Sequence, residues 1–329
     1  MRINLVSMRM RGHAGPSGYD RLADYLNCAV LVPPSVWTVP RRILARCFRP
    51  LQMRSGSLWY HRDALYNELV AAWCWFQSSG QVFHFIYGEN SYRYLGCLKG
   101  WGRRNAVVCS YHTPPDRFRE LVRDTDHLRR LDGIVVMSTC QVDIFSDLVG
   151  PDRVHFVPHG IDVDHYHPLP GVAHDGEGFR CIFVGNHLRD FEALRDACAI
   201  LERRDRRIRV TVVTATRFRD FFVGLGNVDF FSGVSDSELL GLYREADLML
   251  LPLLDSTANN SLLEGMACGL PVVSTDLPGV KDYVNDDSAV LCRRSDGRAL
   301  ADAVLELREA VSYTHLRAHE TPEHLVCRL

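Results

Sequence analysis

Residues 248–283 read LMLLPLLDSTANNSLLEGMACGLPVVSTDLPGVKDY. The apolar run 248–254 predicts a strand, and 255–261 forms a polar turn. A helix is expected over 262–268, stopped by Gly269 just ahead of Pro271. A second strand over 272–274 leads into a loop with Pro278 and Gly279. Strand, polar loop, short helix and strand make the βαβ unit of a parallel sheet, so this half of the chain reads as α/β.

The first N–H groups of a helix have no partner inside it, and the helix dipole adds positive potential there. Phosphate is therefore a natural ligand of the turn before 262. Asn259, Asn260 and Ser261 either cap the helix or leave their N–H groups facing a ligand. Glu264 lies one turn in. A carboxylate does not suit a phosphate, but it accepts two hydrogen bonds from a ribose diol. The two ends of a nucleotide would thus be told apart. The same letters also suit a capped helix of any α/β domain with an exposed Glu264.

At 329 residues the chain is long enough for two domains. Its 47% hydrophobic and 24% charged content is that of an ordinary soluble globular protein. A net charge of -2 gives no global case for a nucleic-acid partner. Eleven cysteines are scattered without a Cys-x-x-Cys pair, as small apolar residues of a reducing compartment would be. The opening MRINLVSMRMRG returns to arginine too soon for a signal peptide. No run approaches the roughly 18 apolar residues of a membrane span. A cytoplasmic location is expected, at most touching the inner face of a membrane.

Taken in order, 3–8 predicts a first strand. A loop with Gly12, Gly15 and Gly18 comes next, and then a helix over 19–26. Glycine after a first strand lets backbone approach a ligand, although the spacing is not Gly-x-Gly-x-x-Gly. Residues 40–54 hold Arg41, Arg42, Arg46, Arg49 and Arg54 between Ile43, Leu44, Phe48 and Leu51, with no acidic residue. Such a segment suits peripheral contact with an anionic membrane, or a solvated basic face. Strands are expected over 82–87 and 106–111, the latter running into His112. A histidine at the carboxyl end of a buried strand lies where parallel sheets form sites. Further strands are expected over 134–137 and 154–158.

The stretch 159–168 contains Asp162, Asp164, His165 and His167, bounded by glycine and proline. With no matching ligand motif elsewhere it reads as a connector, not a metal site. After it the pattern restarts. Strands are expected over 181–184 and 208–213 and around Val228 and Phe230, with helices over 191–201, 235–245 and 296–307. The organisation is two doubly wound Rossmann-like domains, 1–160 and 161–310, facing across a cleft. From Val311 the text becomes VSYTHLRAHETPEHLVCRL. Its 311–321 portion resembles a translated sequencing adapter, so 311–329 is expected to be a non-native tail.

Four segments, VPHGIDVDHYHP (157–168), FVGN (183–186), FSGVSDSELLGLYREADLMLLP (231–252) and NSLLEGMACGLPVVSTDLPG (260–279), carry a resemblance. Together they resemble the retaining GT-B glycosyltransferases of the glycosyltransferase family 4 type. The resemblance covers most of 150–310 and is faint before it. It implies that the second domain binds a nucleoside-diphosphate sugar and the first a carbohydrate or lipid-linked acceptor. It implies no metal and no cofactor beyond the donor itself. Glu264 resembles the ribose-binding Glu of the family's Glu-x7-Glu motif, and Asn259, Asn260 and Ser261 cover the positions that meet the diphosphate. His112 resembles the first-domain histidine at the donor sugar. Gly15 resembles the loop that nears the phosphates, and Gly233 and Val234 the place where the base packs. Gly185 and Asn186 fall on the loop after the FVG strand. Two positions depart from the pattern. The first Glu of the motif is Ser256 here, with Asp255 beside it. Asn186 and Phe191 stand where the family has Arg and Lys, so Arg189 is the expected diphosphate cation.

The activity implied by the resemblance is sugar transfer to a hydroxyl with retention, in polysaccharide or glycoconjugate synthesis. The alternatives are a sugar-nucleotide epimerase or phosphorylase of the same fold, or a non-catalytic nucleotide-sugar-binding protein.

Overall fold

A computed structural model describes residues 2–7, 15–26, 28–31, 49–51, 53–101, 104–169 and 178–314. The chain divides into two compact units. One comprises Met1–His13 and Gly18–Pro158, the other Ala14–Ser17 and His159–Leu329.

The first unit is built on six strands: β1 (Arg2–Val6), β2 (Cys28–Leu31), β3 (Gln81–Phe85), β4 (Ala106–Tyr111), β5 (Gly133–Val136) and β6 (Val154–Phe156). Their order is β2-β1-β3-β4-β5-β6 and every pairing is parallel. A parallel sheet covered on both faces needs apolar residues on both. That is why β4 reads AVVCSY and β5 GIVV rather than alternating. Its helices are α1 (Leu22–Tyr25), α2 (Arg62–Gln77), the single turn α3 (Gly88–Ser91), α4 (Pro115–Leu121) and α5 (Val142–Val149). Tyr111, Phe118 and Phe145 pack edge-on or tilted with centroids 4.7 to 5.5 Å apart and seat α4 and α5 on β4. Neither β2 nor the long α2 is apparent from the sequence patterns. α2 buries Ala64, Leu65, Tyr66, Ala71 and Trp75, yet leaves Trp73 70% exposed, so no clean apolar stripe marks it.

The second unit has β7 (Phe179–Val184), β8 (Ile208–Val213), β9 (Val228–Phe231), β10 (Leu248–Leu251), β11 (Val272–Thr275) and β12 (Ala289–Cys292). The order is β12-β11-β10-β7-β8-β9, again all parallel. Its helices are α6 (Phe191–Arg204), α7 (Asp236–Glu245), α8 (Asn260–Ala267), α9 (Pro278–Lys281) and α10 (Gly297–Thr314). The expected strand 248–254 ends at Leu251, because Pro252 has no N–H for a ladder. The expected helix 262–268 begins two residues earlier, capped by Asn259. α10 runs past Ala310, where the change of composition is read, to Thr314. The rest of the suspected tail lies outside the described residues, as does most of the basic segment 40–54. Asp162 Oδ1 accepts N–H groups of Asp164 and His165 at 3.1 and 3.2 Å, so this carboxylate closes a local turn.

β7 to β12 wind outward from the β7–β10 pair: chain order runs one way through β8 and β9 and the other way through β11 and β12. The carboxyl ends of β7 and β10 therefore flank a topological switch point, the place where ligands of such sheets bind. The stretch 248–283 supplies one side of it.

Candidate functional site

At the switch point, two loops are tied to each other. Arg189, after β7, bridges to Leu253, after β10. Leu254 N–H donates to Leu188 O at 2.9 Å, and Asp190 N–H to Pro252 O at 3.1 Å. The first loop turns tightly enough to put Leu188 at φ 53° and Gly185 at φ 113°. A left-handed leucine costs roughly 1 kcal/mol, held here by these bonds.

Gly185 has a second reason to be glycine. A Cβ there would lie 2.5 Å from Arg189 Nη2. The Arg189 guanidinium fills that space and is held on all sides. Nε donates to Val184 O at 2.9 Å and Nη1 to His187 O at 3.0 Å. Nη2 donates to Asn259 Oδ1 at 3.1 Å and to Ser261 Oγ at 3.0 Å. All four acceptors are neutral. The cation therefore stands at the first turn of α8 with no direct carboxylate contact among the described residues. Burial lowers its pKa to about 10, so it stays charged at neutral pH. Asn259 also caps α8 by accepting from Leu262 N–H at 3.3 Å. Guanidinium and helix N-terminus thus reinforce one another as a positive corner.

Glu264 is buried, which removes the reading of an exposed helix residue. Tyr243, from α7, donates to its Oε2 at 2.8 Å, and Ser17 Oγ donates to Oε1. Burial raises the Glu264 pKa, while the hydroxyl donors and Arg189 pull it back. Both carboxylate oxygens thus hold hydroxyl groups. Asn260 Nδ2 donates to Ser17 O at 3.0 Å. His159 Nε2 lies 3.4 Å from the same oxygen, and burial drops its pKa to about 4. Gly15, expected in a first-domain loop, groups with the second unit beside Asp236.

The remaining expected donor residues lie near the same strand ends. Asn186 Oδ1 accepts from Thr214 Oγ1 and Ala215 N–H, both at 2.7 Å, so it ties the β7 and β8 loops. Gly233 is exposed at φ 72°, and Val234 packs against the core. Asp255 Oδ1 accepts the Ser256 N–H at 2.8 Å. Ser256 is buried, its hydroxyl turned to Thr257 O at 2.9 Å.

His112 belongs to the first unit, at the end of β4. Its Nε2 lies 2.6 Å from Ile86 O, so Nε2 carries the hydrogen and donates. The ring lies on Tyr19, centroids 3.9 Å apart. Its backbone N–H and that of Thr113 donate to Glu89 Oε1 at 2.8 and 3.0 Å. Glu89 is buried and its Oε2 has no hydrogen-bond partner among the described residues; burial raises its pKa to about 7. Tyr243, Ser17 and Glu89 are not among the residues read from the sequence. Tyr243 stands inside the FSGVSDSELLGLYREADLMLLP segment, which is the signal that could have found it. Ser17 and Glu264 are 247 positions apart, and no local pattern links them.

Residues 178–310 match the family model of glycosyl transferases group 1. The second unit carries a group 1 glycosyl transferase domain. This glycosyl transferase domain holds Arg189, the α8 cap and Glu264. The chain is 27% identical over 228 residues to a D-inositol 3-phosphate glycosyltransferase of Saccharomonospora viridis, 61% of this chain and 53% of that protein. It is 28% identical over 165 residues to an MMP alpha-(1->4)-mannosyltransferase of Mycolicibacterium hassiacum, 47% of this chain and 39% of that one. The chain thus spans about half the length, or less, of the curated relatives it matches. Among solved structures it resembles Anabaena HepE in complex with UDP, at TM-score 0.70 and 14% identity, covering 99% of this chain and 96% of that one. It also resembles a glycosyltransferase of Rickettsia africae, at TM-score 0.65 and 13% identity, over 99% and 93% of the two chains. The fold is GT-B.

Proposed function

We propose that the chain moves a sugar from a nucleoside-diphosphate sugar to a hydroxyl acceptor with retention, in polysaccharide or glycoconjugate synthesis. The observation that carries this reading is Arg189: a positive group with four neutral acceptors, set at the N-terminus of α8 at the switch point of the sheet. Such a corner stabilises a diphosphate as leaving-group charge develops, because its dipoles are already oriented. Asn259, Asn260 and Ser261 present the first turn of the helix to it, and Gly185, lacking a Cβ, leaves room for the guanidinium. Glu264 takes the ribose in place of Ser17. Gly15, Gly233 and Val234 line the donor, with the base against the last two. Asp255 stands in for the absent first Glu at the sugar hydroxyls. His112, in the first unit, is the histidine proposed for the donor sugar; its Nε2–H is taken by Ile86 O.

Support for a nucleotide-sugar donor also comes from the similar HepE structures, which hold UDP, UDP and glucose, or UDP-glucose. The test is product analysis. The full chain is incubated with UDP-, GDP- and ADP-sugars and an alcohol-bearing glycan acceptor, and the new anomeric signal is read by NMR. Retention of the donor's anomeric configuration supports the reading. Inversion, or release of an altered nucleotide sugar without acceptor, overturns it.

A further inference from the structure

The second unit has a groove of about 720 Å³ that the proposed donor site does not use. One wall is α6, which contributes Arg195, Ala199 and Arg203 at spacings of four, all on one helical face. The other wall is the turn from β12 into α10, with Arg293, Arg294 and Arg298. Ala199 and Ile200 form a half-buried floor. The volume is in the range of small-molecule sites.

The cations here are not consumed by ion pairs. Arg195 and Arg298 reach only Asp196 and Asp302, neighbours on their own helices, at 3.9 and 3.8 Å. Pairs that long and that exposed are worth little. Arg203, Arg293 and Arg294 form no ion pair among the described residues and are exposed. Of the two carboxylates in the lining, Asp296 is occupied: its Oδ1 accepts Ala299 N–H at 2.8 Å. Five arginines, Arg195, Arg203, Arg293, Arg294 and Arg298, therefore line the groove against two carboxylates, Asp196 and Asp296.

The walls are also fixed. Gly297 lies so close to α6 that a Cβ would meet Asp196 Cβ at 2.6 Å and Ala193 O at 2.8 Å. Ser295 takes φ 55°, and its hydroxyl donates to Asp190 Oδ2 at 2.6 Å. The turn that carries Arg293 and Arg294 is thus tied to the cap of α6. Holding like charges in a rigid cleft is unfavourable by itself, and an anion relieves it. Guanidinium groups match phosphate in a fork-like, two-point geometry.

We infer that this groove is a binding site for a ligand bearing clustered phosphate groups, separate from the donor corner at Arg189. The inference does not depend on the transfer reading. The source of the phosphates is a free polyphosphorylated metabolite or a phosphorylated lipid headgroup, and the test has an arm for each.

In the first arm, tripolyphosphate is titrated into the full chain by calorimetry at about 50 and about 200 mM NaCl. Binding that weakens with salt is expected. The R203Q/R293Q/R294Q variant, altered only at exposed side chains, should bind about tenfold or more weakly. R189Q serves as the control for anion capture at the donor corner, and it should leave the groove's binding in place. In the second arm, vesicles of neutral lipid with a phosphoinositide are sedimented with each variant. Loss of binding in the triple variant in either arm supports the site and names its source. Equal binding by wild type and triple variant, or no binding by wild type in either arm, overturns it. If R189Q alone loses all tripolyphosphate binding, the groove is not the site.

Discussion

Arg189 is held by Val184, His187, Asn259 and Ser261, so its removal has two separable consequences. Arg189→Ala deletes the charge and also leaves those four acceptors short of a donor. Arg189→Lys keeps the charge but not the fork. If the role is electrostatic, Arg189→Lys should keep a measurable part of the transfer rate, while Arg189→Ala should lose about 100-fold or more. Equal rates in wild type and Arg189→Ala, with both folded by circular dichroism, would refute the role. Gly185→Ala should mimic the loss, since its methyl occupies the guanidinium's place.

Glu89 offers a second test at this scale. Its folded pKa, about 7, lies above the usual carboxylate value of 4.5 because it is buried. The protonated form is therefore favoured in the folded state. That contribution is complete below pH 4.5 and is lost as pH rises through about 7. Glu89→Gln keeps an oxygen for the His112 and Thr113 N–H groups and does not titrate. Between about pH 4.5 and about pH 8 it should gain on wild type by on the order of 2–3 kcal/mol, read from urea unfolding at each pH. A difference that does not change with pH would contradict the assignment.

At the scale of elements, the short helix α9 is pressed against the loop after β10. A Cβ on Gly279 would lie 2.1 Å from Ser256 O and 2.9 Å from Thr257 Cα, both backbone atoms that have little room to yield. Gly279→Ala should cost about 1–3 kcal/mol of stability, measured by denaturant midpoint. It should also move the loop that carries Asp255 and Ser256, weakening nucleotide binding more than a surface substitution such as Lys281→Ala. Gly265 plays a related part inside α8, where a Cβ would meet Met249 Sδ at 2.6 Å and push the helix off β10. Helix position, not only helix existence, sets where the α8 N-terminus points.

For the whole molecule, the two sheets each have their own core, and the corner at Arg189 belongs to the second. A ligand that binds only the folded state stabilises it by mass action. A nucleotide sugar at about 100 times its Kd adds ~2.7 kcal/mol, a rise of a few degrees in Tm for a chain of this size. A thermal-shift panel of UDP-, GDP- and ADP-sugars should show this for one base and lose it in Arg189→Ala. No shift with any of them would count against a donor site at Arg189.

Much of the second unit was legible in its letters. β8 begins and ends where the apolar run does, and Ser235 opens α7 with a capping box to Glu238 as its residue type suggests. The strands are continuous apolar runs because a doubly covered parallel sheet demands it, and Asn259 and Gly269 mark the ends of α8 because only certain residues satisfy or reverse a helix terminus. The first unit was less legible: α2 lacks a one-sided stripe, and β2 is four residues long. The sequence by itself therefore determined two repeated α/β patterns and the helix start that attracts phosphate. Only the tertiary structure decided that β7 and β10 lie side by side at a switch point, that Arg189 faces neutral oxygens, and that Glu264 meets Tyr243 and Ser17. Those pairings join residues far apart in the chain, and their energies come from burial and long-range hydrogen bonds that no local spacing encodes.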